Sequence, residues 1–184
     1  APGMSRLIPQ SILWEHVYSN SFRTDRGTVS TFSGWVSYPT ASLIRLPEKL
    51  GNIPSLARSL SREGYHTCYL YGGDITFMNT QGYLVSTGYR QLVSDSDFSL
   101  AQINESKWGA NDSVTARRTF EMIASGEMPE PWHMTFQTLS SHEPFEVPYH
   151  RLEDKKLNAF AFTDHCIEML VDSLRTLPVW DNLL

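Results

Sequence analysis

The chain has 184 residues, of which 41% are hydrophobic, and this length and composition predict a globular domain with a sizeable core rather than a disordered chain. Its formal net charge of -5 gives no broad electrostatic attraction to nucleic acid, so we expect no nucleic-acid partner. No apolar run approaches the roughly 20 residues that span a bilayer, and the first residues lack the charged leader and apolar core of a signal peptide.

Helical and strand-like patterns alternate along the chain, which predicts a mainly parallel sheet covered by helices. In the first part we expect, in order, a helix at 4–10, a strand at 13–18, a helix ending near Ser33, a loop at 34–54, a helix at 56–63 with Gly64 as its left-handed C-cap, and a strand at 65–71. The loop contains three prolines and two glycines and is placed to wall a substrate cleft.

The second part begins with the turn Gly72-Gly73-Asp74 and continues the alternation. We expect a helix at 111–125, a strand at 132–137 and a long amphipathic helix that ends before Pro178, with Trp108 as a packing residue. Cys68 and Cys166 lack metal-site spacing and are expected to be buried free thiols.

The segment from 21 to 30 carries the candidate chemistry, because a hydroxyl at Thr24 stands between Arg23 and Arg26 at a predicted strand-to-helix junction. Free amides and the positive end of a helix favour an anion at such a place, which fits phosphate or sulfate chemistry. Residue types alone favour a simpler interpretation, in which Thr24 or Asp25 caps the helix.

A second polar segment follows the predicted strand at 132–137 and reads Thr138-Leu139-Ser140-Ser141-His142-Glu143-Pro144-Phe145. Ligands of open α/β sheets collect beyond the carboxyl ends of the strands, so this segment and the one at Thr24 are expected to meet over one site. His142 is then placed near a substrate; its alternative is a loop histidine that caps the turn before Pro144. Asp74 is expected to orient substrate or a basic residue, or else to serve only as a turn residue.

These segments together resemble the lipoteichoic acid synthase-like branch of the sulfatase and alkaline phosphatase superfamily. The resemblance covers nearly the whole chain through the ordered segments Ser21-Phe22-Arg23-Thr24-Asp25-Arg26-Gly27, Asn52-Ile53-Pro54-Ser55-Leu56-Ala57, Glu63-Gly64-Tyr65-His66-Thr67, Tyr71-Gly72-Gly73-Asp74, Phe77-Met78-Asn79, Lys107-Trp108-Gly109 and Leu139-Ser140-Ser141-His142-Glu143-Pro144-Phe145. It implies an α/β, alkaline phosphatase-like sandwich with a mainly parallel sheet, incomplete at both ends. Residues 1–184 would be part of an extracytoplasmic catalytic domain, from the nucleophile segment to the long helix before the distal metal-ligand strand.

The resemblance also implies roles for individual residues. Thr24 would attack a phosphorus centre, form a covalent phospho-threonine and ligate a divalent metal, with manganese as the first choice and magnesium or zinc as alternatives. Arg23 takes the place of a basic neighbour, and His142 matches the histidine that binds substrate. Chemistry gives an independent reason for a metal, because a threonine alcohol is almost never ionised at neutral pH and its alkoxide needs stabilisation.

The chain departs from the family pattern in two respects. Met78 and Thr80 stand where lipoteichoic acid synthases carry the tryptophan and arginine that hold glycerol phosphate. The family's remaining metal ligands, an upstream acidic residue and a distal Asp-His pair, have no counterpart between the ends of the chain. Thr163-Asp164-His165 looks like that pair but lies inside an amphipathic helix, so we expect a helix surface position. The isolated chain is therefore expected to bind no metal at Thr24 and to be inactive.

In the full-length protein the resemblance implies a metal-dependent phosphotransferase or hydrolase that moves a phosphoglycerol-like head group of a phospholipid or glycan phosphodiester. It further implies a membrane anchor outside this sequence and a place on the extracytoplasmic face of the bacterial membrane. Two alternatives stay open. A true sulfatase fits less well, because Thr24-Asp25-Arg26-Gly27 stands where a Cys-or-Ser-x-Pro-or-Ala-x-Arg motif is expected. The other is a non-catalytic anion-binding module.

Overall fold

A three-stranded sheet lies at the centre of the structure, a computed structural model that describes residues 1–19 and 21–184. Its strands are β1 (His66–Tyr71), β2 (Gln91–Val93) and β3 (Trp132–Gln137), in the order β2-β1-β3. Both pairs are parallel, with Cys68 opposite Gln91 in one and Met134 in the other. The predicted α/β class with a parallel sheet flanked by helices is confirmed.

Helices cover the sheet. In the part of the chain that the structure describes they are α1 (Pro2–Leu7), α2 (Thr24–Ser33), α3 (Pro47–Leu50), α4 (Leu56–Arg62), α5 (Thr80–Ser86), α6 (Leu100–Ile103), α7 (Asp112–Ala124) and α8 (Lys155–Leu174). The predicted helices near 24–33, 56–63 and 111–125 are confirmed, and Gly64 has the left-handed φ of 88° expected of a C-cap. No helix among the described residues is both long and apolar enough to cross a bilayer.

The middle strand β1 separates two apolar cores. Tyr69 is buried on one face among residues of α2, α4 and α5, while Cys68 and Leu70 are buried on the other against Met122 of α7. Alternate side chains of a strand point to opposite faces, so a strand covered on both sides reads as a continuous apolar run. This explains why the sequence indicated the strand clearly, and it confirms Cys68 as a buried free thiol.

The predicted strand at 13–18 is wrong. Trp14, Val17 and Tyr18 are 75%, 74% and 82% exposed, and the segment pairs with none of the described strands. A strand needs a ladder partner, and this segment has none among the described strands. Thr24 therefore follows an irregular segment rather than a strand. The predicted loop at 34–54 contains short helical turns, and Ile44 and Leu50 within these turns are fully buried.

Helix α1 packs on α8, far from it in the sequence. The buried carboxylate of Asp164 accepts hydrogen bonds from the amides of Gly3 and Met4 at 2.9 and 2.8 Å, and Arg6 pairs with Glu168 at 2.8 Å. Asp164 thus lies inside a helix as predicted, but the expected surface position is wrong. Its carboxylate is buried because it binds the first free amides of α1.

Candidate active site

A cavity of about 470 Å³ opens at the carboxyl ends of β1 and β3. It is lined by all four residues singled out from the sequence, which come from three separate segments: Arg23, Thr24, Asp74 and His142. The expectation that the segments at Thr24 and His142 meet over one site is confirmed. The remaining lining residues are Phe22, Asp25, Thr28, Tyr71, Phe77, Met78, Thr80, Trp108, Gln137 and Leu139.

Thr24 is the first residue of α2, and its side chain is exposed. Arg23 is the N-cap residue, with extended backbone (φ -129°, ψ 144°), and its carbonyl accepts from the amides of Arg26 and Gly27 at 3.2 and 2.8 Å. The simpler interpretation, with Thr24 or Asp25 as the cap, is therefore wrong. The amides of the first turn and the positive end of the helix lie beside the Thr24 hydroxyl, which favours an anion there.

Two arginines flank the threonine in different ways. The guanidinium of Arg23 is half exposed at the cavity and lies 3.5 Å from the buried carboxylate of Asp25. Arg26 instead lies over the ring of Phe22, 5.2 Å from its centroid, and does not line the cavity. Arg23 is thus the cation that an anion beside Thr24 would meet, and Asp25 holds it in place.

Asp74 lies in the turn after β1. Its Oδ1 accepts from the hydroxyl and the amide of Thr76 at 2.6 and 2.7 Å. The hydrogen bond from the Thr76 hydroxyl, more than any other contact, lowers the pKa of the Asp74 carboxyl, so the group is ionised at neutral pH. The geometry is that of an Asp turn, and among the described residues no basic side chain pairs with it. Its role toward a substrate stays a prediction.

The turn before Asp74 depends on two glycines in backbone contact. The amide of Ala110 donates to the carbonyl of Gly72 at 2.9 Å, and Gly109 has φ of 131°. A Cβ on Gly72 would lie 2.1 Å from the Ala110 oxygen, and one on Gly109 would lie 2.2 Å from the Gly72 oxygen. Only glycine fits at both positions. This contact brings Trp108, the preceding residue, to the cavity.

His142 is held from two sides. Its Nδ1 lies 2.8 Å from the carbonyl oxygen of Glu143, and its ring meets that of Trp108 edge to face, with centroids 5.1 Å apart. A carbonyl can only accept, so Nδ1 carries a proton and donates it to this hydrogen bond, and Nε2 is the nitrogen left for another partner. Trp108 Nε1 also donates to Glu143. Trp108 therefore packs as predicted, but it is also 41% exposed and lines the cavity.

The two residues that replace the family's glycerol phosphate-binding tryptophan and arginine also lie at the cavity. Met78 and Thr80 both line it, and Met78 has a left-handed φ of 60°. Arg45, from the loop at 34–54, places its guanidinium against the sulfur of Met78, and Asn79 donates to the carbonyl of Ile44 at 2.7 Å. The loop at 34–54 therefore contacts residues of this wall, but none of its own residues lines the cavity, so the expectation that the loop walls the cleft is wrong.

The sequence analysis missed one buried acid beside the site. Asp112 begins α7 and is fully buried, and its Oδ1 accepts from the amides of Leu139 and Ser140 at 2.7 and 3.2 Å. Its Oδ2 accepts from the hydroxyl of Thr163 in α8 at 2.6 Å. An Asn-Asp pair at a helix start reads as capping, and no local pattern reveals that the carboxylate reaches the loop after β3.

The residues present do not by themselves form a metal site. Thr24 offers one neutral hydroxyl, and among the described residues no group of three or more His, Cys, Asp and Glu is arranged to hold a metal ion. Catalytic metal sites generally use about three protein ligands. Thr163-Asp164-His165 is engaged elsewhere, since Asp164 binds α1 and His165 stacks on Tyr149.

A hydroxyl at a helix start and a histidine loop meet here beyond the carboxyl ends of parallel strands, where open α/β sheets bind their ligands, and the chain belongs to the sulfatase family. The model of that family, described as Sulfatase, matches residues 1–184. The resemblance stated from the sequence is thereby confirmed.

Similar proteins point to the lipoteichoic acid synthase-like branch. The chain is 22% identical over 178 residues to the lipoteichoic acid synthase-like YvgJ of Bacillus subtilis (strain 168), which is 95% of this chain and 28% of that protein. It therefore spans less than a third of this curated relative.

Two solved structures confirm the alkaline phosphatase-like fold. One is a protein in the alkaline phosphatase superfamily from Vibrio parahaemolyticus, with a TM-score of 0.88 and 22% identity over 98% of this chain and 46% of that one. The other is the lipoteichoic acid synthase LtaP from Listeria monocytogenes, with a TM-score of 0.87 and 15% identity over 98% of this chain and 47% of that one.

Proposed function

We propose that residues 1–184 form the nucleophile-bearing part of an extracytoplasmic phosphotransferase or phosphodiester hydrolase. The single observation that carries the proposal is the position of Thr24: an exposed hydroxyl at the start of α2, on a cavity shared with Arg23, Asp74 and His142. A helix start favours a phosphate group, and the hydroxyl beside it is placed to react with that group.

The proposed reaction has two half-reactions. The Thr24 oxygen bonds to the phosphorus of a phosphodiester while the bond to the leaving alcohol breaks, and the hydroxyl proton leaves with that alcohol. The product of this step is a phospho-threonine. Water or a second alcohol then attacks the same phosphorus, its proton returns to Thr24, and the head group is released. Attack and release therefore use one site.

The other residues bind and orient the substrate in this proposal. Arg23 opposes the negative charge of the phosphoryl oxygens, together with the first amides of α2. His142, with its proton fixed on Nδ1, presents Nε2 as an acceptor for a head-group hydroxyl. Asp74 is ionised and lines the same cavity, and its role in this proposal is to accept hydrogen bonds from substrate hydroxyls.

For the full-length protein we further propose a divalent metal cofactor, manganese first and magnesium or zinc as alternatives, whose remaining ligands come from residues outside this sequence. The similarity to proteins named lipoteichoic acid synthase supports a phospholipid or glycan phosphodiester, such as a phosphoglycerol-like head group, as substrate. It also supports a membrane anchor and a place on the extracytoplasmic face of a bacterial membrane. No observation favours a sulfate ester or a purely anion-binding role over this proposal.

Replacement of Thr24 in the full-length protein tests the nucleophile. Thr24→Ala is expected to abolish phosphodiester turnover at saturating metal without loss of fold, because a methyl group cannot attack phosphorus, whereas Thr24→Ser should keep part of the activity. Thr31→Ala is the matched control, since Thr31 is an exposed threonine of the same helix away from the cavity. Near-normal turnover by Thr24→Ala would refute the assignment.

Replacement of His142 tests the substrate-binding role. His142→Ala removes one hydrogen bond to a polar or charged group and should cost roughly 1.5–3 kcal/mol in kcat/KM with little change in thermal stability. His150→Ala, at an exposed position that does not line the cavity, controls for loss of a surface histidine. If His142→Ala instead unfolds readily and its folded fraction works normally, the residue is structural.

A further inference from the structure

The carboxylate of Asp112 joins three parts of the chain that are distant in sequence. It accepts hydrogen bonds from the amides of Leu139 and Ser140 in the loop after β3 and from the hydroxyl of Thr163 in α8. The backbone amide of Asp112 donates to the Ser140 hydroxyl at 2.8 Å. The side chain is fully buried, and both of its carboxylate oxygens are engaged in these hydrogen bonds. A buried carboxylate so engaged fixes the groups that it binds.

Those groups support the cavity directly. Leu139 lines it, and the carbonyl of Leu139 accepts from the amide of His142 at 3.0 Å. On the other side, Asp112 follows Trp108 by four positions, and Trp108 contacts the His142 ring and donates to Glu143. Asp112 therefore ties the backbone that carries Trp108 to the backbone that carries His142.

We propose that Asp112 is a positioning residue that holds the His142 imidazole in its place and tautomer at the cavity. This inference rests on the proposed function, because it assigns Asp112 an effect on turnover that passes through His142. Asp112 does not line the cavity and touches no substrate. Without its carboxylate, the amides of Leu139 and Ser140 lose their acceptor, and the loop that presents His142 loses its anchor to α7 and α8.

A purely structural role for Asp112 makes a different prediction, and a second buried acid allows the two to be separated. Asp164 is also a buried carboxylate that accepts from two backbone amides, those of Gly3 and Met4, but it joins α8 to α1 and does not line the cavity. Asp164→Ser therefore removes the same chemistry at a comparable depth, away from His142. It is the matched control for Asp112→Ser.

The first test is a double-mutant cycle on kcat/KM in the full-length protein, with a phosphodiester substrate. Asp112→Ser should lower kcat/KM about 10- to 100-fold, the range typical when a group that orients a functional side chain is lost. In the His142→Ala background the same change should cost less than about 3-fold, because the orientation of an absent ring cannot matter. Asp112→Asn should keep most of the activity, since its amide oxygen still accepts from both amides and the Thr163 hydroxyl can accept from its NH₂.

The second test measures the tautomer of the His142 imidazole and does not require turnover. Nitrogen-15 spectra of labelled histidine, with the His142 signal assigned by His142→Gln, should show the Nδ1–H tautomer in the wild type and in Asp164→Ser. In Asp112→Ser the signal should shift toward the Nε2–H tautomer, which is no longer suppressed by a fixed bond to Glu143.

The outcomes separate the two proposals. Loss of activity that is equal in both backgrounds, or an unchanged His142 tautomer in Asp112→Ser, overturns the positioning role while the proposed function stands. Failure of Asp112→Ser to fold where Asp164→Ser folds also overturns it, because the contribution of Asp112 is then to the fold. Absence of turnover in the wild type refutes the proposed function alone, and the spectra still decide the role of Asp112.

Discussion

The backbone contact between Gly72 and Gly109 gives the sharpest prediction of stability. Gly109→Ala would place a Cβ 2.2 Å from the carbonyl oxygen of Gly72 and 3.0 Å from its carbonyl carbon, and both are backbone atoms that cannot rotate away. The residue also has φ of 131°, a region that alanine avoids at a cost of about 1–3 kcal/mol. The displaced strand end would lose the hydrogen bond from Ala110 to Gly72, worth about 0.5–1.5 kcal/mol.

The expected destabilisation of Gly109→Ala is therefore about 2–4 kcal/mol, which lowers the melting temperature of a domain of this size by about 4–16 °C. Thermal and urea unfolding followed by circular dichroism measure it. Gly27→Ala is the matched control, because Gly27 lies within α2 and a Cβ there meets nothing within 4 Å. That change should stabilise by about 0.5–1 kcal/mol, since alanine favours helix. If the two variants differ by less than about 1 kcal/mol in stability, the close approach at Gly72 is wrong.

The remaining predictions concern the thiols and the metal. Burial raises the pKa of Cys68 and Cys166 to about 12 from an ordinary value of 9.0, so an aromatic disulfide reagent at pH 8 should label them only after unfolding. Because the folded-state pKa lies above the unfolded one, the contribution of these thiols to stability should fall as pH rises above about 9, as urea unfolding at pH 8 and 10 would detect. Calorimetric titration of the 184-residue chain with manganese, magnesium and zinc should show no binding at Thr24; micromolar binding lost in Thr24→Ala, together with turnover, would contradict this.

Much of the fold could be predicted because local patterns and tertiary packing agree. β1 is an apolar run buried on both faces, and β3 follows a clear turn. Helix α7 is preceded by its N-cap residue Asn111, whose side chain accepts from the amide of Ser113 at 2.9 Å. The segment at 13–18 has the same apolar pattern but no ladder partner among the described strands. Pattern indicates that a segment can form a strand, whereas pairing is a property of the whole sheet.

The residues of the candidate site could likewise be predicted only in part. Asp74 and His142 were found because each follows a strand, and the parallel topology brings the carboxyl ends of strands together, whereas Thr24 was found at a helix start although the strand predicted before it does not form. The burial and the partners of Asp112 and Asp164 could not be predicted, because a carboxylate that binds amides 27 or 161 positions away leaves no local signature. Their burial depends on contacts that exist only in the folded chain.

The strand order has a consequence for the folding of this protein during its synthesis on the ribosome. β1 is made first but lies in the middle, and its residue His66 pairs with Trp132, which is 66 residues later in the chain. At roughly 5–20 residues per second, β1 waits about 3–13 s before its second edge is covered. During that time Cys68, Tyr69 and Leu70, all fully buried in the finished fold, stand beside an open strand edge. Open apolar edges are templates for aggregation, so nascent chains of this topology depend on protection until β3 has emerged.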